Sequence, residues 1–104
     1  MITASFTKKN GKFQKFRISG HSGYAEQGSD IVCAAVSSMA MLVINTVTED
    51  FGVPVDLNVD EATATISFAL LEQNEPACAI ISGLERELSL LAEDYPKNVR
   101  VTLN

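Results

Sequence analysis

His21, the one histidine of this chain, and Cys33, one of its two cysteines, stand twelve positions apart and are residue types that can make and break an acyl bond. A thiolate attacks a carbonyl carbon, and an imidazole takes up the thiol proton and later delivers one to the leaving amine. A cysteine in the first turn of a helix gains from the positive end of the helix dipole. With an imidazolium nearby, that placement draws a thiol pKa from about 8.5 into the range of about 3.5 to 7.5. The backbone N–H groups of Val32, Cys33 and Ala34 lack partners in such a turn, so they are the expected holders of a tetrahedral oxyanion, each donor worth about 3 to 4 kcal/mol of barrier.

A plainer account fits the same residues. A histidine in a loop is usually solvated, and a cysteine inside Ile31-Val32-Cys33-Ala34-Ala35-Val36 is usually core; spacing does not decide between the two. Asp30 is placed to cap the helix, with orientation of His21 or substrate binding as the alternative. Ser37, one turn beyond Cys33, either donates into the site or bonds its own backbone. Gly20, Gly23 and Gly28 permit turns and would also let the loop close over a substrate. Tyr24 packs on the loop or touches substrate. Cys78 has no histidine or aspartate nearby and reads as a packed thiol. Neither cysteine has a CxxC or CxxxC partner, so no disulfide framework or zinc finger is indicated. His21 with Cys33 falls short of the three or four ligands zinc requires, and no metal or other cofactor is expected.

For these residues to meet, the chain around them must fold back. Ile2, Ala4 and Phe6 alternate with polar residues, and Asn10-Gly11 is a hairpin signal leading to a second strand that ends near Ile18. Phe13 and Phe16 differ in parity, which calls for a bulge or a late start. Residues 20–29 carry three glycines and no periodicity, the pattern of a mobile loop. A long helix is expected from Ile31 to Asp50, capped by Ser29 or Asp30 and closed by Gly52 and Pro54. It is apolar nearly all round, so one side is expected against the sheet and the other against the same helix of a second copy. Val55, Leu57 and Val59, then Ala64, Ile66, Phe68 and Leu70, form a second hairpin turning at Asp60-Glu61. A second helix runs from Glu75 to Tyr95 with one apolar face, and Val99, Val101 and Leu103 close the chain as a strand. The order is ββαββαβ, and the economical packing is an α/β two-layer sandwich with both helices on one face of a five-stranded sheet.

The 104 residues, 46% hydrophobic and 20% charged, suit one domain, spanning 1–104. No apolar run is expected to reach the roughly 18 residues of a membrane span, and the N-terminus lacks the marks of a secretory leader, so a cytoplasmic location away from membranes is expected. The net charge of −5 disfavours direct nucleic-acid binding. Residues 1–20 contain five basic and no acidic side chains, leaving 13 acids against 3 bases afterwards, an acidic body suited to a basic partner.

The stretch Gly20-His21-Ser22-Gly23-Tyr24-Ala25, followed by Gly28-Ser29-Asp30-Ile31-Val32-Cys33-Ala34-Ala35-Val36-Ser37, resembles the hallmark of the ribosomal-processing cysteine protease family, Prp, a GH-x-GYA loop and then G-x-DIVCAAVS. The layout and length also agree over essentially the whole chain. The resemblance implies a cysteine endopeptidase of Firmicutes and related bacteria that removes a short N-terminal extension from large-subunit ribosomal protein twenty-seven. It makes Cys33 the nucleophile and His21 the general base, and sets Asp30 and Ser37 near the site. It also implies a homodimer through the first long helix, a mobile loop from Gly20 to Ser29 over the substrate, and an apolar groove beside Cys33. The alternative is a non-catalytic dimeric ribosome-assembly module that binds a basic ribosomal protein.

Overall fold

The computed structural model describes residues 1–26 and 28–104; position 27, inside the loop expected at 20–29, lies outside the described residues. The elements are β1 (Ile2–Lys9), β2 (Lys12–Ser19), α1 (Ile31–Asn45) running into a π-helical turn (Thr46–Asp50), β3 (Val55–Asp60), β4 (Thr65–Leu70), α2 (Glu75–Asp94) and β5 (Val99–Leu103). Both helices cover one face of a five-stranded mixed sheet of order β3-β4-β2-β1-β5, the sandwich that the alternation implied.

The first hairpin forms because Asn10 and Gly11 both take positive φ, 55° and 78°, matching the right-handed twist of the strands they join. The parity change between Phe13 and Phe16 is resolved by a bulge. Thr7 pairs with Lys15 and Lys8 with Phe13, which leaves Gln14 as the extra residue. The buried Gln14 side chain donates from Nε2 to the Leu70 carbonyl at 2.7 Å, tying the bulge to the end of β4. Beyond it, the row Phe68, Phe16, Phe6 crosses three strands in register, with ring centroids 4.8 and 5.9 Å apart, and forms the centre of the core.

The expected helix over 31–50 is α-helical only to Asn45. Thr48 Oγ1 donates to the Ile44 carbonyl at 3.0 Å, and Phe51 N–H reaches back five residues to the Thr46 carbonyl at 3.0 Å. This widens the last turn to π geometry before Gly52, at φ 63°, ends it. Ile31–Asp50 is, by length and apolar content, sufficient to cross a bilayer, which corrects the expectation that no stretch reaches that size. Here Val32, Val36, Ala40, Val43, Ile44 and Val47 are buried, and the last five of these join the core beneath the sheet. The opposite side leaves Ile31 58% and Leu42 66% exposed. Two boundaries also shift: α2 ends at Asp94 with Tyr95 as its cap, and Ala64 is a turn residue at φ 50° instead of the first residue of β4.

Candidate active site

β2 ends at Ser19, and at Gly20 the chain must turn away directly beneath the start of β1. Gly20 has φ 94°, its N–H donates to the Ala64 carbonyl at 3.1 Å, and any Cβ there would run into the Met1 carbonyl oxygen. That turn sets His21 on the rim of an open groove of about 590 Å³. The opposite wall is α1. Asp30 caps it, its Oδ1 accepting from Val32 N–H at 3.0 Å and Cys33 N–H at 2.9 Å, so Cys33 lies in the first turn and half-buried.

The groove therefore has His21, Gly23 and Ala25 on the loop side and Cys33, Val36 and Ser37 on the helix side. Its floor is the sheet row Val59, Ile66, Ile18, three aliphatic residues in register across β3, β4 and β2. The floor is apolar because these positions alternate inward along their strands; Val59 at its outer edge remains 53% exposed. Asp60 and Glu61 stand at the far rim. The arrangement can seat an extended peptide with an apolar side chain on the floor and its carbonyl near the sulfur. Among the described residues the His21 ring makes no hydrogen bond to Cys33 Sγ; the two share the groove without being joined.

The other sequence candidates divide between the groove and the packing around it. Gly20, Gly23 and Ser37 line the groove. Tyr24 turns away to meet Tyr95 edge-to-face, centroids 5.4 Å apart and planes at 89°, so the loop packs on the end of α2 through it. Cys78 is buried in the core. No cluster of three or more metal-ligating side chains occurs among the described residues.

One expectation is overturned. The N–H groups of Val32, Cys33 and Ala34 are not available to an oxyanion: the first two donate to the Asp30 carboxylate and the third to the Asp30 carbonyl at 3.1 Å. The same carboxylate accepts a hydrogen bond from Ser22 Oγ and a longer one, 3.4 Å, from Ala25 N–H. The Ser22 hydroxyl, followed by the Cys33 backbone, holds the Asp30 carboxyl down at a pKa of about 2. A fixed anion thus fills the place where a second would have to form.

Ser22 is the residue that the sequence did not single out. Although flanked by exposed loop residues, it is only 1% exposed. Its hydroxyl donates to Asp30 and accepts from Tyr24 N–H at 3.1 Å, its carbonyl accepts from Asn98 Nδ2 at 2.9 Å, and its N–H donates to Cys33 Sγ at 3.4 Å. The only signal in the sequence is the polar Ser-x-Tyr in a glycine loop. Asn98, the partner that buries it, lies 76 positions away and carries no local mark.

The sequence profile of the family described as Cysteine protease Prp matches residues 1–100. A ribosomal processing cysteine protease Prp of Bacillus subtilis is 31% identical over 110 residues, covering 100% of this chain and 98% of its own. The crystal structure of the essential ribosomal processing protease Prp from S. aureus with a covalently linked product peptide superposes with a TM-score of 0.94 at 26% identity, covering 100% of both chains. The S. aureus structure with a substrate peptide gives 0.88 at 25%, again over the full length of both.

Proposed function

Since the chain belongs to the Prp family of cysteine proteases, and is therefore a thiol peptidase of ribosomal processing, we propose that Cys33 is its nucleophile, His21 its general base, and the N-terminal extension of large-subunit ribosomal protein twenty-seven its substrate. The observation that carries this reading is the groove. It gathers the one histidine and the one half-buried thiol at the end of an apolar floor. In this scheme His21 takes the thiol proton as Sγ bonds to the peptide carbonyl carbon, and the carbonyl π pair moves to oxygen. Collapse of that oxyanion breaks the C–N bond, and the imidazolium gives its proton to the departing amine. Water, deprotonated by the same ring, then releases the acyl group and restores the thiol.

The floor of Val59, Ile66 and Ile18 supports a preference for apolar and aromatic residues before the cut. The acidic rim at Asp60 and Glu61 suits a basic chain beyond it. The exposed stripe of Ile31, Ala34, Ser38 and Leu42 recurs at helical spacing along α1, carries no charge, and supports pairing of two copies through this helix. Cleavage of a synthetic tail peptide tests the assignment. Cys33→Ala and His21→Ala should each abolish turnover while circular dichroism stays unchanged, and persistent cleavage by either variant would falsify the pair.

A further inference from the structure

With the helix-start N–H groups committed to Asp30, the oxyanion needs another donor, and we infer that the backbone N–H of Ser22 supplies it, with Asn98 as the residue that positions it. This rests on Cys33 as the nucleophile. Among the described residues Ser22 N–H is the one backbone group that donates to Cys33 Sγ, at 3.4 Å. When Sγ bonds to the substrate carbonyl carbon, the carbonyl oxygen becomes the second neighbour of that sulfur. An N–H already aimed at the sulfur then needs only a small reorientation to meet the oxygen as its charge develops. The donor thus exchanges a weak sulfur acceptor for a strong anionic one along the reaction coordinate, the kind of interaction that lowers a barrier without tightening substrate binding.

The surroundings of Ser22 keep that N–H in place. Its hydroxyl is fixed to Asp30 on α1, its carbonyl to Asn98 Nδ2 just before β5, and its N–H alone faces the reacting atom. Asn98 is itself anchored, its carbonyl accepting from Ile2 N–H at 2.8 Å and its N–H donating to the Tyr95 carbonyl at 2.9 Å. The residue next to the general base is therefore held by the sheet, and the donor needs no ordering at the moment of attack.

Ser22→Pro removes the N–H but risks the loop. The decisive variant is an amide-to-ester replacement at position 22, which keeps the serine side chain; it is accessible by joining a synthetic 1–32 segment to an expressed chain beginning at Cys33. Loss of this donor should lower kcat by about 10²- to 10³-fold with KM nearly unchanged. A peptide aldehyde, whose addition to Cys33 creates the same oxyanion, should lose affinity by a similar factor. Asn98→Ala should lower kcat and aldehyde affinity together, also without raising KM. A kcat loss below about tenfold in the ester variant overturns the inference, as does undiminished aldehyde affinity in it; undiminished aldehyde affinity in Asn98→Ala removes Asn98 from the scheme. Cys33→Ala in the natural backbone separates the two levels. If it still cleaves, the nucleophile assignment has failed; if it is dead while the ester variant is fully active, only the donor has.

Discussion

Gly20→Ala is expected to damage stability and turnover together, by a route that can be followed atom by atom. At φ 94° an alanine carries the strain of a left-handed backbone, about 1 to 2 kcal/mol. Its Cβ also meets the Met1 carbonyl oxygen, which is backbone and cannot swing aside as a side chain would. Relief requires the start of β1 to move, and the next group along is Ile2 N–H, whose 2.8 Å bond to the Asn98 carbonyl adds about 1 kcal/mol net. The total of about 2 to 3 kcal/mol corresponds to a fall of about 10 to 20 °C in the thermal midpoint of a domain this size. Gly23→Ala is the matched comparison: φ is 71°, but among the described residues no atom lies within 4 Å of the added carbon, so the backbone strain applies without the close approach. Differential scanning calorimetry of both variants isolates the steric part. Because the neighbour of residue 20 is His21, and Asn98 also holds Ser22, a displacement of about 1 Å should cost Gly20→Ala about 10²-fold in kcat. Equal midpoints for the two alanine variants would refute the close-approach argument, and a destabilised Gly20→Ala with full turnover would refute its link to the site.

Leu42→Glu, which puts a charge on the most exposed large apolar residue of the α1 stripe, should convert a dimer to a monomer in sedimentation velocity; a natural chain that sediments as a monomer would dispose of the pairing. Cys33, half-buried and facing the groove, should be alkylated in the folded protein, whereas Cys78, buried in the core, should react only on unfolding, as peptide mass mapping will read. Asp30 titrates at about 2 in the folded state against an ordinary 3.8, a depressed value, so its contribution to stability is full above about pH 4 and fades as pH falls toward 2. Carbon-detected NMR of its carboxyl should show one step near pH 2, and a step near 4 would mean that the Ser22 contact does not persist in solution.

What could be read from the sequence was what short-range chemistry decides. Asn10-Gly11 specified its turn, the Phe13–Phe16 parity located a bulge, and the residues around His21 and Cys33 carried the family resemblance. Strand order was not legible, since pairing β1 with β5 in parallel and β2 with β4 antiparallel depends on how two helices share one face. The π turn at Thr46–Asp50 was hidden because nothing in the composition distinguishes Thr48 from any other helical threonine. The misassigned oxyanion donors have the clearest cause. Treating the first helical turn as unsatisfied and Asp30 as its cap were incompatible readings, because a good cap consumes the very groups that the first reading left free.

The clasp between Asn98 and Ser22 joins the loop after the second strand to the turn before the last. During synthesis, then, a nascent polypeptide can possess both His21 and Cys33 long before it can organise them. Polypeptides cut short before Asn98 should be inert toward peptides, because the residue that holds Ser22 has yet to be added.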